Sequence, residues 1–237
     1  MMPSGLMSEA PPQPQLMRSL GHLVRGLSCL FWGLPVTLIV CFHTVRLDTI
    51  HTYGVIPPLV CTGLLVYGLW IIGDFQRQER VWRNALDRAR LLGLMLCGLS
   101  PFLYWLNRIP TNEFFLTAVL LFGLVSITFL VSLNLMLRRL AAMLPDESLR
   151  VETRQFTQFN LNLLFITLLF GIVALALQQT PHLPKMVGVI LEILERASFW
   201  FLVLLVLLPL AMTMALIWKT KEVILEGVFH SMDDRSS

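Results

Sequence analysis

The chain has 237 residues, of which 56% are hydrophobic and 14% charged, with a formal net charge of +3. Soluble domains carry about a quarter of their residues as charges, so the composition excludes an ordinary water-soluble globule. The weak net charge gives no electrostatic footprint for a nucleic acid, and no nucleic-acid partner is expected.

Residues 1–25 are Pro- and Gln-rich at Pro11, Pro12 and Pro14 and have no apolar stretch typical of a cleavable leader. They are expected to form a disordered cytoplasmic tail. Six apolar runs follow, at about 27–45, 55–75, 91–107, 114–137, 160–178 and 198–218. Each is long enough to cross a hydrocarbon core as a helix. Asp74 is the only Asp, Glu, Lys or Arg inside them. The runs do not alternate as barrel strands must, and backbone groups in lipid must pair internally. The expected fold is all-α, with a six-helix transmembrane domain over 26–218 and a cytoplasmic C-terminal tail over 219–237.

Turn residues separate the first two spans (Gly54, Pro57, Pro58) and the third from the fourth (Pro110, Asn112), predicting outward hairpins. Between the fifth and sixth spans, residues 185–197 read as a short amphipathic helix on the outer surface, which completes a third outward hairpin. Fourteen of the eighteen Lys and Arg residues fall on the segments joining the opposite ends. By the positive-inside rule both termini are cytoplasmic. A plasma membrane or bacterial inner membrane is the expected location.

The inner segment 74–90 reads DFQRQERVWRNALDRAR. Phe75, Trp82, Leu86 and Ala89 recur at helical spacing. A basic surface helix is expected, with Arg77, Arg80, Trp82 and Arg83 touching anionic lipid or a protein partner. A voltage sensor is disfavoured, because Gln76, Gln78 and Glu79 stand between the arginines.

Small and polar residues line one face of three spans. Gly33 and Thr37 do so on the first. Gly93, Cys97, Ser100, Tyr104 and Asn107 do so on the third, and Asn160, Thr167, Gly171 and Gln178 on the fifth. Such stripes let helices approach and hydrogen-bond one another. They also fit a pathway between these spans for a neutral or amphipathic solute. Pro35, Pro101 and Pro209 fall inside spans and predict packing kinks. Thr62–Leu69 (TGLLVYGL) echoes Thr117–Leu124 (TAVLLFGL), a pattern compatible with a duplicated hairpin.

The four cysteines contain no CxxC pair, and the histidines have no ligand spacing. No cofactor or metal is expected. The chain also has no HExxH, GxSxG or phosphate-loop motif. These features point to a non-enzymatic multi-pass membrane protein, a membrane-embedded subunit or scaffold surrounded by the lipid bilayer, with a protein partner at its cytoplasmic loops. The transporter or channel reading is the alternative.

Overall fold

The computed structural model describes residues 14–46, 53–73, 75, 80–143, 147–178 and 206–225. They form α1 (Pro14–Arg46), α2 (Ile56–Ile72), α3 (Arg80–Leu99), α4 (Pro101–Arg108), α5 (Glu113–Met143) and α6 (Glu147–Gln178), followed by α7 over 206–225. No strand occurs among the described residues, so the chain is all-α, as its composition predicts. Ser19–Val45, Arg80–Arg108 and Glu113–Met143 are long and apolar enough to cross a membrane.

α1 starts well before the first apolar run. Pro14 opens it, a position where the missing N–H costs no hydrogen bond. Leu23, Leu27, Leu30 and Leu34 then form a buried stripe at helical spacing. That stripe begins one turn before uniform apolarity does, and the helix itself extends back to Pro14. Residues 14–25 are therefore helical rather than part of a disordered tail.

α1 packs closely on α2 through glycines. A Cβ on Gly26 would meet the Ile72 side chain and, at 2.8 Å, the Gly68 carbonyl oxygen. One on Gly33 would meet Leu65 Cδ2 at 2.8 Å. α2 stops at Ile72, three residues before the end of its apolar run. The stop is imposed by α3. Arg90 Nε donates to the Leu69 carbonyl at 3.2 Å, and Nη2 to the Trp70 carbonyl at 3.3 Å. The guanidinium also lies 5.4 Å from the centre of the Trp70 ring. A cation is favourable at a helix C-terminus, where carbonyls have no partner. Gly73 leaves room for it, since a Cβ there would collide with the guanidinium.

α3 runs unbroken from the basic segment into the apolar one. A helix lying flat on the lipid would need a break near residue 90, and none is present. The break comes instead at Ser100–Pro101. Proline has no N–H to give the Cys97 carbonyl, and Ser100 Oγ donates to that carbonyl at 2.9 Å. α4 follows the break, and a four-residue turn over 109–112 leads to α5. Asn112 caps α5 by accepting from the Phe114 N–H at 2.9 Å.

Trp82, Leu86, Ala89 and Leu96 of α3 share one core with Leu133, Met136, Leu137 and Leu140 of α5. Leu210, Leu216, Ile217 and Ile224 bring α7 into the same core. Trp218 meets Phe31 of α1 at 5.7 Å between ring centres.

Candidate functional site

The polar stripe residues separate into two groups. The first joins α1, α2, α3 and α4. Thr37 Oγ1 donates to the Cys61 carbonyl at 3.2 Å, and Asn107 Nδ2 to the Thr44 carbonyl at 3.1 Å. Thr62 Oγ1 lies 3.4 Å from Ser100 Oγ, and both hydroxyls are buried. Gly93 faces Val66 and Phe129. Cys97 is half-buried, and the Tyr104 hydroxyl accepts from Arg108 Nη1 at 3.4 Å. This group is a set of helix contacts, each polar atom turned to a neighbouring backbone or side chain.

The second group joins α5, α6 and α7 around Asn160. Asn160 Nδ2 donates toward Asn134 Oδ1 at 3.1 Å, Thr213 Oγ1 at 3.0 Å and the Pro209 carbonyl at 3.2 Å. Asn134 Nδ2 reaches the Leu130 carbonyl at 2.8 Å and Thr213 Oγ1 at 2.9 Å. Thr213 Oγ1 donates to the Pro209 carbonyl at 2.8 Å. Asn134, Asn160 and Thr213 are each at most 1% exposed. Asn160 thus joins α5 and α7, not the stripes of α1 and α3. Thr167, two turns further along α6, bonds to the Leu163 carbonyl at 2.8 Å. Gly171 and Gln178 belong to the same helix, and their surroundings lie outside the described residues.

Among the described residues, three polar atoms on this face of α6 have no hydrogen-bond partner: Thr153 Oγ1, Thr157 Oγ1 and Asn160 Oδ1. They follow i, i+4, i+7 and are all buried. Other helical hydroxyls, such as those of Thr44, Thr128 and Thr220, bond to the carbonyl four residues back. Thr153 and Thr157 do not. A recess of about 120 Å³ lies at the Thr153 end, lined by Thr153, Phe156, Ala215, Leu216 and Lys219. The seam therefore combines unfilled hydrogen-bonding capacity with adjoining space.

No family model, curated protein or solved structure matches this chain. Its chemistry has to be read from its own residues. Among the described residues, no three His, Cys, Asp or Glu side chains gather in a way that could hold a metal ion.

The basic contact residues of the sequence divide as well. Arg80 and Arg83 are exposed on α3. Arg77 and residues 185–197 lie outside the described residues. Trp82 belongs to the core rather than to the exposed face. It is fully buried, its ring edge-on to Phe75 at 6.4 Å between centres. The helical spacing of Trp82, Leu86 and Ala89 marks the face of α3 turned into the core it shares with α5, and Phe75, before α3, packs on Trp82.

Sequence reading missed Asn134 and Thr213. A signal existed for the first, because Asn134 is the only amide side chain in the run 114–137. Thr213 stands four residues after Pro209, where its hydroxyl meets the proline carbonyl.

Proposed function

We propose that the chain is a non-enzymatic multi-pass membrane protein that serves as a membrane-embedded subunit or scaffold. Six segments span the bilayer: α1, α2, the broken α3–α4 helix, α5, α6 and α7. Both termini face the cytoplasm, and the membrane is a plasma or bacterial inner membrane. The observation that carries this reading is the engagement of stripe residues across helix interfaces. Thr37 is tied to the Cys61 carbonyl of α2, Ser100 to the Thr62 hydroxyl of α2 and Asn107 to the Thr44 carbonyl of α1, while glycines close the α1–α2 gap. A passage between these helices would need those groups turned toward a lumen. The outer faces instead expose large apolar side chains such as Trp32, Tyr67, Trp70, Phe114 and Phe165, a surface suited to lipid tails or partner helices.

One observation favours the transport reading, and it moves the pathway. The unpartnered atoms of Thr153, Thr157 and Asn160 run along α6 toward the recess at Lys219, so a polar solute or water file would follow α6–α7. Reconstitution in sealed vesicles tests both readings. The subunit reading predicts flux of small neutral solutes no faster than in protein-free vesicles. Flux above that level, lost in Thr157→Val, would overturn it in favour of the α6–α7 pathway.

A further inference from the structure

A second cleft, of about 280 Å³, opens between α3 and α5, away from the Asn160 cluster. Val81, Asn84 and Arg88 line it from α3, and Ser132, Leu135 and Arg139 from α5. Each set follows i, i+3, i+7, so two complete helix faces meet along the groove. Arg88 lies just before the apolar part of α3, and Arg139 just after the apolar part of α5. Both arginines therefore stand within a turn of the boundary at which a spanning helix leaves hydrocarbon. The helices run antiparallel in sequence order, and side chains lean toward their own helix N-terminus. Arg88 thus leans toward the basic end of α3, and Arg139 leans back into the groove.

Among the described residues no carboxylate pairs with either arginine. The nearest acid in sequence, Asp87, is engaged with Arg90 at 3.3 Å. Neither Arg88 nor Arg139 has an ion-pair partner among the described residues. Two guanidinium groups in one cleft repel each other, and an anion between them removes the repulsion. Planar guanidinium forks match phosphate oxygens, and the Asn84 amide and Ser132 hydroxyl add neutral hydrogen-bonding groups. The walls at Val81 and Leu135 are apolar and partly exposed. A soluble phosphate gains nothing from such walls, whereas the glycerol and upper acyl carbons of a lipid do.

We infer that the α3–α5 cleft is a headgroup site for an anionic glycerophospholipid, its phosphate held by Arg88 and Arg139. The inference rests on the membrane-embedded part of the proposed function and not on the subunit role. Topology is read separately by labelling, so failure of one does not imitate failure of the other.

The test uses the purified full chain in neutral detergent with phosphatidylglycerol or phosphatidylcholine added, and bound lipid counted by native mass spectrometry. Phosphatidylglycerol should be retained in preference to phosphatidylcholine. Arg88→Gln/Arg139→Gln should lower its affinity roughly 30-fold and either single change roughly fivefold. Arg150→Gln/Arg154→Gln, exposed on α6 and outside the cleft, should leave it unchanged. Ser132→Phe keeps both arginines and fills the groove, so it should also lose the lipid. It decides the matter if the double variant unfolds. Equal retention of the two lipids, or wild-type retention by Ser132→Phe, would overturn the site. An equal loss in the Arg150/Arg154 control would reduce it to diffuse attraction and overturn it too. Complete displacement by inorganic phosphate would replace the lipid with a soluble anion and overturn the lipid assignment.

Discussion

Asn134 and Asn160 show how much a single polar side chain can organise in an apolar helix. An amide that enters lipid unpaired leaves donors and acceptors without water, so its position dictates which helices must meet. Here the two amides and the Thr213 hydroxyl fasten α5, α6 and α7 at one level. Replacing Asn134 by Leu should lower detergent thermostability by on the order of 1 kcal/mol. Thr128→Val should be nearly neutral, because that exposed hydroxyl bonds only to the Leu124 carbonyl of its own helix. The double change Asn134→Leu/Asn160→Leu should cost less than the sum of the singles, since it removes both halves of a buried pair. Strict additivity would mean that the two amides do not support each other. Only half of this cluster was legible in the sequence. Asn160 stood out on a helical face, but its partners lie 26 and 53 positions away, and periodicity within one helix carries no information about its neighbours.

Among elements, α2 owes its end to another helix. Its apolar run continues past Ile72, and nothing local except Gly73 signals a stop. Arg90 supplies the signal from α3 by binding the Leu69 and Trp70 carbonyls. Arg90→Gln should cost about 0.3–1 kcal/mol and speed amide hydrogen exchange in the last turn of α2, with α5 unaffected. Gly73→Ala should reproduce that local effect, because its methyl group takes the place of the guanidinium. Unchanged exchange in both variants would show that the cap is not needed. The apolar runs located helices well and their ends poorly, for a related reason. A charge ends an apolar run but does not end a helix. α1 continues back through Arg25 and Arg18 on its leucine stripe, and α3 carries four arginines before its apolar half. Of the prolines expected to kink spans, Pro101 coincides with the break between α3 and α4, whereas α1 runs through Pro35 without interruption. What sequence could not show was the Ser100 hydroxyl satisfying the freed Cys97 carbonyl. The echo between Thr62–Leu69 and Thr117–Leu124 is not carried into packing. Thr62 is buried and Gly68 touches Cys29, whereas Thr117 is exposed and Gly123 has open space around it.

At the scale of the whole molecule, one physical asymmetry organises the account. Apolar side chains cover the outside of the helices as well as the core, and in the proposed six-span arrangement fourteen of the eighteen Lys and Arg residues collect at one end. The first feature requires a hydrocarbon solvent. The second is the basis of the proposed orientation, because Lys and Arg near helix ends are retained on the cytoplasmic side. The proposed lipid cleft depends on the same asymmetry, since anionic headgroups are concentrated on that face. Single-cysteine labelling in intact cells tests the central claim most directly, using a background in which Cys29, Cys41, Cys61 and Cys97 are replaced by Ser. With a membrane-impermeant thiol reagent, Thr111→Cys and His182→Cys should label from outside. Arg150→Cys and Leu225→Cys should label only after permeabilisation. External labelling at position 150 or 225, or protection of position 111 until the membrane is opened, would contradict the six-span arrangement with both termini inside.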